Sequence, residues 1–290
     1  MADAPLGPGD HVVKLTVDDR PRSYRVHIPE QYNPGQPTPV VLIFHGSSMS
    51  AKFMANFSGL SAKSDEAGFI AVYPNGTGPR EMFLTFNAGE ERDASVQRPD
   101  DVKFTETLLD DLATRVNVDS KRVFGTGMSS GGMMCYRLAA ELPGRLAAIA
   151  PVAGTMAVPM PDRKQPIPIM HFHGTEDAIV PFNGPDDSTP ESVRFQSVEE
   201  TVRAWAAADD CPSEPAITDE PDRVDDGTTV KRWSFGPGTE GAEVILYAIE
   251  GGGHTWPGYD TLLKKALGRS THEISANDLM WEFFRKHPLP

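Results

Sequence analysis

The stretch Val123-Phe124-Gly125-Thr126-Gly127-Met128-Ser129-Ser130-Gly131-Gly132 decides how this chain is read. It opens in Lys121-Arg122-Val123-Phe124-Gly125-Thr126, which has the composition of a short buried strand. It runs into Met133-Met134-Cys135-Tyr136-Arg137-Leu138-Ala139-Ala140-Glu141-Leu142, rich in helix formers and stopped by Pro143-Gly144. Between the two lies G-x-S-x-G. A serine on so sharp a strand-to-helix turn projects its hydroxyl out of the sheet, and small flanking residues let the chain turn that tightly. The helix that follows offers unbonded N–H groups and a positive dipole end to a developing oxyanion. Ser129 is therefore the candidate nucleophile. The pentapeptide alone is a weak signal, equally compatible with a glycine-rich turn, so its partners must decide.

A nucleophilic serine needs a base, and the base needs an orienting carboxylate. On a sheet with such a turn they follow the serine in the order acid, then histidine, each just after a strand. Pro166-Ile167-Pro168-Ile169-Met170-His171-Phe172-His173 reads as a strand and ends in Gly174-Thr175-Glu176-Asp177. Ala242-Glu243-Val244-Ile245-Leu246-Tyr247-Ala248-Ile249 reads as another, entering Glu250-Gly251-Gly252-Gly253-His254-Thr255-Trp256-Pro257-Gly258. Asp177 is the candidate acid, with Glu176 and, further along, Asp186 and Asp187 as alternatives; His254 is the candidate base. His171 and His173 form an H-x-H pair at strand spacing, but no third ligand lies nearby in sequence, so no metal is expected.

The remaining requirement is an oxyanion hole. Val40-Val41-Leu42-Ile43-Phe44 is a strongly β-branched strand followed by His45-Gly46-Ser47-Ser48-Met49-Ser50. The expected donors are the backbone N–H groups of Ser130, just after the nucleophile, and of Ser47, in this early loop. Trp256, Phe86 and Met128 are the candidate substrate contacts, Trp256 being equally compatible with packing against its own loop. Segments 182–196 and 257–273 are long enough to shape or cover a cleft.

These motifs, with Tyr73-Pro74-Asn75-Gly76-Thr77-Gly78, Ala147-Ala148-Ile149-Ala150-Pro151-Val152-Ala153-Gly154 and Val180-Pro181, occur in an order that resembles the polyhydroxybutyrate depolymerase-like esterases, which are similar to feruloyl and acetylxylan esterases. The resemblance spans about residues 10 to 287. It implies an α/β-hydrolase fold, a Ser129–Asp177–His254 triad and hydrolysis of carboxylic esters without a cofactor. The chain departs from many relatives at Thr85-Phe86-Asn87-Ala88-Gly89, where they carry Trp in place of Phe86, and in Glu90-Glu91-Arg92-Asp93, which lacks their cysteines. Substrate preference is therefore open among hydroxyalkanoate, hydroxycinnamoyl and acetyl esters. A peptidase, or a binding protein on the same fold, is a further alternative, although peptidases of this fold usually add a recognition domain for which no room remains.

A chain of 290 residues with 39% hydrophobic content can bury a sizeable core. The expected organisation is an N-terminal segment over residues 1–10 and one catalytic domain over 11–290. A net charge of −14 argues against nucleic acid or an anionic membrane as partner, and leaves a small-molecule or oligomeric ester as the expected one. No apolar run reaches membrane-spanning length. No signal peptide is read at the start; export to the periplasm or outside the cell is expected from the resemblance. Cys135 and Cys211 permit one bridge on count alone.

The fold class expected is α/β: a mostly parallel, doubly wound sheet with an antiparallel hairpin, Val12–Val17 with Ser23–Ile28, at one edge. Strand-like runs recur at 40–44, 69–73, 122–126, 147–152, 167–173 and 243–249, with helix-like stretches between most of them. Helices are expected near 101–116, from the Ser197 capping box through Trp205, and from Ser275 with Leu279, Phe283 and Phe284 inward.

Overall fold

The computed structural model describes residues 4–80, 82–89, 98–160, 165–187, 189, 193–260 and 264–290. Strands β1 (Gly9–Val17) and β2 (Arg20–Ile28) form the expected hairpin, paired antiparallel from Gly9–Ile28 to Val17–Arg20. Asp18 and Asp19 turn the chain at φ 49° and 58°, a left-handed pair that suits a two-residue hairpin. β1 begins at Gly9, and just before it the Leu6 N–H bonds the Arg115 carbonyl at 3.0 Å.

β3 (Thr38–Phe44) is buried at every position. Helices α1 (Ala51–Phe57) and α2 (Leu60–Ala67) return the chain to β4 (Ile70–Pro74). Then come α3 (Asp101–Arg115), β5 (Val118–Met128), α4 (Ser130–Glu141), β6 (Ala148–Val152) and β7 (Ile169–Gly174). The last part holds α5 (Val198–Ala208), β8 (Ala216–Asp219), β9 (Thr229–Phe235), β10 (Val244–Glu250), α6 (Lys264–Leu267) and α7 (Ala276–Lys286). The capping box read at Ser197 is present, with the Ser197 hydroxyl and Glu200 carboxylate each bonding the other's backbone N–H.

The strands make one sheet in the order β1-β2-β4-β3-β5-β6-β7-β10-β9-β8. From β4 to β10 neighbours run parallel, whereas β2 and β9 pair antiparallel at either side. Alternate residues of a strand point to opposite faces. Val40, Leu42 and Phe44 therefore join one core with Phe104, Leu108, Met134, Leu138, Val202 and Trp205 from α3, α4 and α5. Val41 and Ile43 join the other with Met54, Leu60, Met280, Phe283 and Phe284 from α1, α2 and α7. Phe124 stacks on Phe284 at 4.6 Å, fixing α7 under the middle of the sheet. Truncating either ring to alanine would cost about 3–5 kcal/mol. Parallel strands end on one side, so the loops after β3, β5, β7 and β10 gather along one edge.

Candidate active site

β5 enters α4 through Ser129, whose backbone sits at φ 58°, ψ −124°. A residue with a Cβ is strained there. The strain is held by its surroundings: the Ser129 N–H bonds the Val152 carbonyl at 2.9 Å, and its carbonyl accepts from Met133 N–H at 3.0 Å. The neighbouring glycines are needed for close approach. A Cβ on Gly127 would lie 2.7 Å from the Gly131 and Phe44 carbonyl oxygens, and one on Gly131 would run into the Phe44 carbonyl. Ser129 thus stands at the mouth of a cleft of about 390 Å³, lined also by Ser47, Ser130, Met133 and Arg98.

The loops after β7 and β10 are bonded together because these strands are neighbours. Thr175 N–H donates to the Ile249 carbonyl at 2.9 Å and Glu176 N–H to the Gly252 carbonyl at 2.8 Å. This brings Asp177 and His254 together, both only 4% exposed. His254 Nδ1 donates to Asp177 Oδ2 at 2.7 Å. The other carboxylate oxygen, Oδ1, accepts from the Ile179 and Val180 N–H groups at 2.8 and 2.9 Å. Burial pushes the Asp177 carboxyl up, but the His173 N–H 3.4 Å away and the hydrogen bond from His254 outweigh it and hold it well below the usual carboxylate range. Asp177 is the acid that meets the histidine; Glu176 is exposed and faces Arg269 at 3.4 Å, and Asp186 and Asp187 are exposed. The loop that carries His254 is held as well, since the Gly253 and His254 N–H groups donate to the Arg269 and Leu267 carbonyls at 2.9 and 2.6 Å.

Ser130 opens α4, so its N–H has no acceptor within the helix. On the loop after β3, the Ser48 N–H is engaged with the Leu84 carbonyl at 2.8 Å, whereas Ser47 lines the cleft and bonds Thr85 through its hydroxyl at 2.9 Å. His45, fully buried, braces this loop. Its Nδ1–H donates to the Gly46 carbonyl at 2.8 Å and its Nε2 accepts from Gly76 N–H at 3.0 Å. Burial is the main cause that lowers His45 to about 4; the Gly46 bond opposes this and the Arg22 charge adds to it.

The expected substrate contacts are corrected by the structure. Trp256, Phe86 and Met128 are all 0% exposed and lie off the cleft lining. Trp256 packs on Phe57, and its indole N–H donates to Asn277 Oδ1 at 2.9 Å; Asn277 in turn donates to the Ser58 carbonyl at 2.8 Å. Phe86 lies 4.5 Å from the His45 ring, beneath the loop that carries Ser47, and Met128 belongs to the core on the α7 face. The cleft walls are instead Phe83, Leu84, Ile179, Val180, Val193 and Phe195. Val193 and Phe195 fall in the segment 182–196 expected to shape the cleft; Glu90–Asp93 and residues 188, 190–192 and 261–263 lie outside the described residues. Cys135 and Cys211 are unbridged. Among the described residues, no group of three or more His, Cys, Asp or Glu side chains is placed to hold a metal, and no helix is long and apolar enough to cross a membrane.

A parallel sheet flanked on both faces, with a strained serine elbow and the edge loops just described, defines an α/β-hydrolase. The chain belongs to the dienelactone hydrolase family, whose model matches residues 26–209. It is 31% identical over 287 residues to NocK of Nocardia uniformis subsp. tsuyamanensis, which is named as an esterase; the match covers 93% of this chain and 81% of NocK. It is 27% identical to feruloyl esterase B of Piromyces equi over 80% of this chain and 42% of that longer protein. In fold it matches the acetyl xylan esterase of Aspergillus awamori, with a TM-score of 0.64 and 16% identity over 94% of this chain and 99% of that one. The protein is accordingly a carboxylic ester hydrolase.

Proposed function

We propose that the protein hydrolyses hydroxycinnamoyl-type aromatic esters through an acyl-enzyme on Ser129. The observation that carries this reading is the strained Ser129, which opens onto a cleft whose walls include Phe83, Ile179, Val180, Val193 and Phe195. Apolar and aromatic walls suit a flat acyl group. The similarity to feruloyl esterase B supports the same choice. In the first half-reaction His254 takes the Ser129 proton as Oγ attacks the ester carbonyl. Asp177 fixes the imidazole tautomer and stabilises the imidazolium. Ser130 and Ser47 N–H groups receive the oxyanion, each contributing a few kcal/mol, about 3. His254 then protonates the leaving alcohol, and a water molecule repeats the sequence on the acyl-enzyme.

A second reading, hydrolysis of hydroxyalkanoate oligomers, is favoured by the exposed Phe83 and Ile179 on the cleft wall, with exposed Met82 next in sequence. Turnover of methyl ferulate, a 3-hydroxybutyrate dimer and an acetyl ester separates the readings, with Ser129→Ala as control. Ferulate turnover above the other two is the expected result. A faster dimer would replace the aromatic reading with the polyester one. Full activity in Ser129→Ala would end both.

A further inference from the structure

Behind Asp177 runs a buried chain of polar side chains that the acyl-transfer chemistry does not use. Tyr136 lies on α4, and His171 and His173 lie on β7; their exposures are 0%, 0% and 1%. Tyr136 Oη meets His171 Nδ1 at 2.8 Å, His171 Nε2 meets His173 Nδ1 at 3.0 Å, and His173 Nε2 meets the Val180 carbonyl at 2.8 Å. The same His173 Nε2 lies 3.4 Å from Asp177 Oδ2, the oxygen that accepts from His254.

With both rings neutral, the far end fixes every proton. A carbonyl oxygen only accepts, so His173 carries its proton on Nε2. Neutral His173 therefore accepts at Nδ1, which places the His171 proton on Nε2. His171 then accepts at Nδ1, and the Tyr136 hydroxyl donates. With both rings neutral, any other arrangement sets two donors or two acceptors face to face in a dry interior. Burial first, and the neighbouring His173 second, keep His171 uncharged. The chain thus runs one way, from the helix whose first N–H is the oxyanion donor to the carboxylate that orients the base.

We infer that His173, set by His171 and Tyr136, is a positioning residue that holds Asp177 with one oxygen directed at His254. Its Nε2–H secures the Val180 carbonyl while the Val180 N–H secures Asp177 Oδ1, so the turn that carries the acid is fixed at both ends. The same N–H, aimed near Oδ2, withdraws part of the carboxylate's charge from His254. This role rests on the triad reading proposed for Ser129, Asp177 and His254. The groups that face the pair are Tyr136, Asp177, His254 and the Val180 backbone.

The test begins without substitution. Imidazole nitrogen NMR at neutral pH should show both His171 and His173 as neutral Nε2–H tautomers; an Nδ1–H tautomer or a charged ring at either would overturn the inference. His173→Leu should lower kcat by about 10- to 100-fold, the range of supporting-ligand losses, with KM nearly unchanged. Its acid limb of kcat/KM should move to higher pH, because the Asp177 carboxylate loses the N–H beside Oδ2. His173→Gln, which keeps a donor, should restore most of the rate, and Tyr136→Phe should give a smaller loss in the same direction. An unmoved limb in folded His173→Leu, or no rescue by Gln, would remove the assignment. If Ser129→Ala stays active, the triad reading fails instead, and the tautomers are still read on their own.

Discussion

Replacing Ser129 by glycine and by alanine turns the strained elbow into a measurable quantity. Both variants lose the hydroxyl, so both should be inactive, and they differ only in the Cβ. At φ 58°, ψ −124° that Cβ carries about 1–3 kcal/mol of strain. Glycine removes the strain but gains freedom in the unfolded chain, which costs about 0.5–1 kcal/mol relative to alanine. The difference favours Ser129→Gly by about 1 kcal/mol, or roughly 2 °C in melting temperature for a chain of this size. In the interior of a helix or strand, the same exchange has the opposite sign. Paired urea and thermal unfolding curves at one pH are the assay. A glycine variant as stable as alanine's, or less stable, would show that the elbow stores no strain and that the argument from its dihedral angles is wrong.

Three further outcomes are expected. His45 is held at about 4 when folded and 6.5 when free, so the stability it confers is complete above about 6.5 and is lost as pH falls towards 4, on the order of 3 kcal/mol; His45→Gln, compared with the wild type by urea unfolding from pH 7 to 4, should flatten that slope, and parallel curves would refute it. His171 contributes in the same direction, whereas Asp177, depressed from 3.8, loses its contribution only below about that pH. Gly127→Ala must move the Phe44 or Gly131 backbone, so a loss of about 1–3 kcal/mol or more together with collapsed turnover is expected; a stable, active variant would mean the elbow is looser than drawn. Ser130→Ala removes a buried hydroxyl with no hydrogen-bond partner among the described residues and keeps the backbone donor. Its stability should be equal or higher and its kcat within about threefold, and a large kcat loss would mean the hydroxyl itself reaches the substrate.

Ser129, Asp177 and His254 could be picked out as candidates because each sits at a boundary that local sequence marks, and the structure brings Asp177 and His254 into contact. A β-branched or apolar run ends, glycines or a tight turn follow, and the candidate comes next, as at Gly127–Ser129 and Gly251–His254. Side-chain direction has no such mark. Trp256 stands two residues past His254, yet its indole N–H bonds Asn277 and the ring is fully buried. The cleft walls were equally hidden, since Leu84, Ile179 and Val193 come from separate loops that only the sheet order brings together. The far edge was missed for another reason. β8 is exposed throughout, and β9, Thr229–Phe235, places Val230, Trp233 and Phe235 out of alternation, so neither shows the pattern of a half-buried strand.

The bond from Trp256 to Asn277, and from Asn277 on to Ser58, gives the order of synthesis a meaning. The elbow between β5 and α4 and its β3 neighbour are encoded by the first half of the chain. The loop that carries the histidine is anchored by α7, which leaves the ribosome after all the strands. A nascent chain can therefore shape the serine turn before α7 is made, whereas the Trp256 anchor beside the His254 loop forms only once α7 follows.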